Sequence, residues 1–216
     1  MKIDKKMGDI GLVWTWTVGG FRLHGSEQWL RDDLKATSLR LRDQWRGKEL
    51  RWDMDVVKVR RSVRMAGGDP EQDMPLPEKN LRSVLDGAPP PLEDQLATAQ
   101  WLTSAEYLVW VLALDQEKIV GEWEVRRGVA GEEDDLGRSL KGVPVLADAQ
   151  GPLASAYGEL ARAAVTAATC SVLCAILAPP ENRDLGQKAA WALQKRVARF
   201  SRAMPQAPVC LEVQAA

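Results

Sequence analysis

Residues 163–180, AAVTAATCSVLCAILAPP, carry no charged side chain and end on two prolines. A stretch this free of charge belongs inside a folded chain. It only just reaches bilayer-spanning length, and alanine adds little to membrane partition, so an interior element is expected rather than a membrane span. Its alanine content, together with Leu153 upstream, predicts a long helix over Leu153–Ala178 that Pro179–Pro180 breaks. The next segment, RDLGQKAAWALQKRVARFSRAM over residues 183–204, has a helical pattern of its own. Two helices joined by a short proline turn pack as an antiparallel pair.

In that second helix Lys188, Trp191, Lys195, Arg199 and Arg202 recur at steps of three, four, four and three. On an α-helix those steps stack into one stripe. Leu185, Ala189, Leu193, Val197, Phe200 and Met204 fall on a separate, apolar side. The indole and its four cations are therefore expected to face away from the core. They would form a surface suited to an anionic, partly aromatic partner.

Upstream, Ile10–Thr17 alternates branched and aromatic residues and predicts a strand, with Gly19–Gly20 as a turn and Phe21–Leu23 as a possible return. Ser26 is placed to cap a helix carrying Leu30, Leu34, Leu41 and Trp45, which Gly47 stops. Leu50–Met65 predicts a long strand with Trp52 on its apolar parity and a bulge near Val56–Val57. Helices are expected over Glu78–Leu85 and Leu92–Leu102. Tyr107–Leu114 with the later IVGEWEV predicts a β-hairpin, although Thr103 and Glu106 match a helix capping box. Residues 128–142 are expected as loop, and Val209–Val213 as an edge strand. The expected class is α+β: a small mixed or antiparallel sheet with a C-terminal antiparallel helical pair. The expected organisation is an N-terminal α/β part over 1–66, a Pro-rich acidic connector over 67–91, and a hairpin plus helical part over 92–216. The outer two parts could share one domain.

Apolar content of 45% and a formal net charge of −1 fit a folded globular protein without a global field. Locally the charge is segregated. Leu39–Arg64 holds nine basic and four acidic residues, and Asp69–Asp94 holds two basic and seven acidic. Such blocks can pair within one molecule or between copies. Nine Trp accompany two Tyr and two Phe, so most indoles are expected in the core, with one or two outside. Cys170, Cys174 and Cys210 with the single His24 make a zinc site improbable, and all three thiols are expected buried and reduced in a cytoplasmic protein. The N-terminus lacks the apolar region of a signal peptide.

Nucleotide-binding glycine loops and the nucleophile elbow are absent, and any histidine-based catalysis would have to run through His24. One acidic pattern has catalytic sense. On the predicted strand Asp53 and Asp55 project from one face, and Glu122 and Glu124 form a second pair. Paired carboxylates can hold a divalent metal. Gly25–Ser26, then Trp52-Asp53-Met54-Asp55-Val56, then Trp123-Glu124-Val125 resembles the motif order of polymerase-β-type nucleotidyltransferases. That resemblance implies Mg²⁺ or Mn²⁺ on Asp53, Asp55 and Glu124, although a whole predicted helix separates the Gly-Ser turn from the Asp pair. On the bland alternative these carboxylates are the solvent face of strands.

The function expected first is a non-enzymatic, intracellular nucleic-acid-associated protein, a subunit of a larger assembly. Lys188, Lys195, Arg199 and Arg202 would hold phosphates and Trp191 would stack a base, with Arg60, Arg61 and Arg64 extending the track. Pairing of those three arginines with the acidic connector is the competing role. A protein–protein or self-association module is the second expectation and the metal-dependent transferase the third. No cofactor and no membrane partner are expected in the first two.

Overall fold

The computed structural model describes residues 2–3, 12–23, 28–65, 68–88, 94–201 and 206–212. Two sheets organise these residues. A four-stranded sheet holds β2 (Leu12–Gly19), β3 (Trp110–Asp115), β8 (Ser171–Ala178) and β9 (Val209–Glu212), in the order β3-β8-β2-β9 and wholly antiparallel. The second sheet runs β1 (Lys2–Ile3), β4 (Glu124–Arg127), β5 (Pro144–Asp148), β6 (Gly151–Ser155) and β7 (Gly158–Glu159); only its β1–β4 pair is parallel. Helices α1 (Gln28–Gln44), α2 (Met54–Met65), α3 (Leu76–Asp86), α4 (Gln95–Tyr107) and α5 (Arg183–Val197) complete an α+β architecture. No helix among the described residues is long and apolar enough to cross a membrane.

The charge-free stretch is a strand, not a helix. β8 lies between β2 and β3, and its side chains divide by parity. Val172, Cys174, Ile176 and Ala178 join the core that faces α5, while Ala175 and Leu177 join the core on the other side. A strand buried on both faces has no polar residues to mark its period of two, so it cannot be told from a buried helix by pattern alone. The upstream part of the expected helix forms the β6–β7 hairpin. The C-terminal helix therefore has no antiparallel helix at 153–178. It lies instead on β2 and β8 and against α4.

The expected strand over residues 50–65 is a 3₁₀ turn at Leu50–Trp52 followed by α2. Val56, Val59 and Val63, at steps of three and four, are its buried stripe. Asp53 Oδ1 accepts the Asp55 N–H at 2.9 Å, which satisfies one of the open donors at the helix start. Trp52, expected in the core, is 72% exposed, with Arg51 over its ring. Trp45 is buried as expected.

β3 is a strand as expected, but it pairs with β8. The segment expected as its hairpin partner supplies β4 of the other sheet. Thr103 and Glu106 lie inside α4, which ends when Leu108 takes the left-handed conformation (φ 52°). The strand of β2, the stop at Gly47, the loop over 128–142 and the edge strand β9 follow the sequence pattern, whereas Phe21 makes only an isolated bridge to Ser201.

α3 brings the acidic block onto the basic one. Glu78 is fully buried and accepts from Arg60 Nε and Nη2 at 2.7 and 2.8 Å and from Arg82 Nε and Nη2 at 3.0 and 2.9 Å. Arg60 also reaches Glu71 at 2.8 Å. Burial works to raise the Glu78 pKa, but the two guanidiniums outweigh it and hold the carboxyl below its ordinary range.

Candidate nucleic-acid interface

The apolar side of α5 determines where its polar side points. Ala189, Ala190, Leu193 and Val197 are buried against the sheet. Gly186 lets the helix come so close that a Cβ there would sit 2.2 Å from the Trp14 ring. With that face committed, Lys188, Trp191 and Lys195 are exposed, Trp191 to 49%. Arg199 continues the stripe on the 3₁₀ turn Ala198–Phe200, not on the helix itself.

These residues form one side of an open cleft of about 780 Å³. α1 supplies Trp29 and Asp33 to it, and the end of α4 supplies Glu106 and Tyr107. Its floor is Arg196. This side chain is 9% exposed and donates from Nε to Asp33 at 2.9 Å, from Nη1 to Thr103 Oγ1 at 2.8 Å and from Nη2 to Glu106 at 2.8 Å. Glu106 also takes Arg40 at 2.6 Å. Two of the three carboxylates lining the cleft are thus already neutralised, and Asp184 is the third. Lys188 and Lys195 have no ion-pair partner among the described residues. The Arg199 guanidinium lies over the Trp29 ring, 4.6 Å from its centroid. Burial and the adjacent Glu106 carboxylate push the Tyr107 phenol above its usual range, so it stays neutral at physiological pH.

Four of the eight candidate binding residues, Lys188, Trp191, Lys195 and Arg199, are brought together here. Arg202 lies outside the described residues, as do His24 and the Gly25–Ser26 turn. Arg60 is a correction: it is buried and committed to Glu78 and Glu71, so it presents no charge to a ligand. Arg64 lies 3.6 Å from Glu71, and Arg61 3.7 Å from Glu181; neither lines the cleft. The acidic constellation also dissolves. Asp53 caps α2, Asp55 pairs with Lys58 at 2.9 Å, and Glu124 pairs with Arg126 at 3.2 Å on strand β4. No group of three His, Cys, Asp or Glu that could hold a metal occurs among the described residues. The projected strand face for Mg²⁺ or Mn²⁺ does not exist, because Asp53 and Asp55 are at a helix start. Cys174 is buried, but Cys170 is exposed and Cys210 half-buried, and none of the three is in a disulfide.

Sequence reasoning missed Trp29, Tyr107 and Arg196. Arg196 sits between stripe positions in the helical repeat and reads as one more surface cation. Trp29 precedes the buried Leu30 and carries no mark of its own. Only the packing of α1 and α4 beside α5 makes them neighbours.

No family model matches the chain, and no curated protein matches it. Among solved structures, an N-terminal fragment of the phenylalanyl-tRNA synthetase β-subunit from Pyrococcus horikoshii is similar over 92% of this chain and 48% of that one, at 14% identity and a TM-score of 0.45. The chain spans about half the length of that fragment. A likeness this slight transfers neither a fold assignment nor an activity.

Proposed function

We propose that this chain is a non-enzymatic nucleic-acid-associated protein that works as a subunit of a larger assembly, and that the α5 cleft is its binding surface. The observation that carries the reading is the convergence of Lys188, Lys195 and Arg199 around the exposed Trp191 in one cleft. Unpaired lysines cost little to redirect onto phosphates and release counterions on doing so. An indole face stacks any base, worth about 1–3 kcal/mol. Recognition is then electrostatic and weakly sequence-specific. Three phosphate contacts give a slope of about −2 for log affinity against log salt on a single strand. Free cysteines fit a reducing cytoplasm.

The test is oligonucleotide retention on filters by the full chain and by the Lys195→Ala/Arg199→Ala double variant. Retention at low salt should fall about tenfold or more in the variant, with a stability loss of no more than about 1 kcal/mol from the lost Arg199–Trp29 contact. Equal retention by both proteins refutes the site.

A second reading, a protein–protein or self-association module, is favoured by a separate patch. Trp52, on the 3₁₀ turn before α2, is 72% exposed, and Met54, the first residue of α2, is 66% exposed. Self-association in light scattering that Trp52→Ser abolishes, without nucleic-acid retention, supports that reading over the first.

A further inference from the structure

Resting on the nucleic-acid reading of the cleft, we infer that it selects single strands and holds two bases of one strand on two separate stacking platforms, Trp191 and the Arg199–Trp29 pair. The second platform is a product of the tertiary structure. Trp29 is backed by Phe200, with ring centroids 5.4 Å apart and planes tilted by 33°. Its ring is covered by the Arg199 guanidinium at 4.6 Å, and Arg199 is itself exposed. A guanidinium over an indole favours lying parallel to the ring. It presents a planar cationic surface on which a base can lie. Arg199 therefore acts as a stacking plane as well as a charge, a role lysine cannot take.

The spacing sets a footprint. Trp191 and Arg199 are eight residues apart; six α-helical steps to Val197 and two 3₁₀ steps beyond it span about 13 Å along the axis. Bases stacked at about 3.4 Å cover that distance in three to four nucleotides, and a more extended strand in fewer. Lys188 and Lys195 lie on either side of Trp191, three residues before it and four after it, where the phosphates flanking its base would run. Asp184, in the first turn of α5, repels phosphate and ends the track on that side. The floor adds no unbalanced charge, since Arg196 and Arg40 together balance Asp33 and Glu106. A duplex keeps its bases stacked on each other and offers neither platform an open face, so it retains only the phosphate contacts.

Fluorescence titration of the full chain with three probes tests this: a single-stranded oligothymidylate of about six nucleotides, a duplex of equal length, and inorganic polyphosphate of matched charge. The single strand should bind about tenfold or more tighter than either other probe. Arg199→Lys should weaken the single strand several-fold while leaving polyphosphate unchanged, and Trp191→Leu should do the same. Arg199→Lys with undiminished single-strand affinity, or duplex and polyphosphate binding as tightly as the single strand, overturns the two-platform inference and leaves a polyanion cleft. Failure of all three probes to bind overturns the underlying reading together with it.

Discussion

Gly186→Ala is expected to destabilise the protein, against the local rule for helices. Gly186 is inside α5, where replacing glycine by alanine gains about 1 kcal/mol of helix propensity. The tertiary contact opposes this. A Cβ at position 186 would lie 2.2 Å from Trp14 Cζ3 and 2.3 Å from Cη2, where ordinary contact begins at 3.4 Å. About 1.2 Å of separation has to be found. Trp14 is 3% exposed and held in the sheet, so the helix itself has to lift away from β2. Overpacking costs about 1–3 kcal/mol, and a rigid buried ring as the obstacle places this site at about 2–3 kcal/mol. The net expectation is a loss of about 1–2 kcal/mol after the propensity gain. Urea unfolding followed by far-ultraviolet circular dichroism reads it as a lower midpoint at unchanged slope. Gly19→Ala is the control: nothing lies within 4 Å of its added Cβ, and a change below about 0.5 kcal/mol is expected. A Gly186→Ala midpoint equal to or above that of the native chain would refute the close helix–sheet approach on which the outward direction of Trp191 depends.

Glu78→Gln removes the charge between Arg60 and Arg82 and should cost about 3 kcal/mol, at the low end for a broken buried pair because Arg60 keeps Glu71. The Glu78 pKa is depressed in the folded state, so its contribution is full above the unfolded carboxylate value of about 4.3 and is lost as pH falls through the folded value; the native chain should therefore lose more stability on acidification than Glu78→Gln. Glu159 has the opposite sign. Burial raises its carboxyl above the ordinary range despite hydrogen bonds from the Ala113 N–H and the Gln100 amide, so the ionised form is penalised as pH rises past the unfolded value. Glu159→Gln should be at least as stable as the native chain at neutral pH, with any advantage shrinking in acid; a large loss at neutral pH in thermal melts contradicts this. Trp191→Ser should cost about 1–2 kcal/mol in thermal melts, short of the ~3–5 kcal/mol of a core indole, since half of the side chain is already in water.

The α5 stripe was legible because Ala189, Leu193 and Val197 alternate with Lys188, Trp191 and Lys195 at helical spacing, and burial followed that contrast. β2 was legible for its branched and aromatic residues. The acidic connector was legible as a charge partner, and Arg60 met Glu71 and Glu78 as opposite charges near in sequence do. Residues 54–65 misled because Leu50, Trp52, Met54 and Val56 alternate by chance ahead of a valine stripe at helical steps. Half of the cleft was not legible at all. Trp29, Glu106 and Tyr107 come from elements far from α5 in the chain, and no local pattern couples them to it.

By itself the sequence determined the α+β class, the outward stripe of α5 and the pairing of basic with acidic blocks, because each is written as a contrast between polar and apolar, or positive and negative, within a few residues. Only the tertiary structure decided that residues 171–178 are a strand and that Trp29 becomes the second wall of the cleft. Where both faces of an element are dry the local contrast disappears. The choice between helix and strand then passes to the neighbours that supply the hydrogen bonds and fill the space.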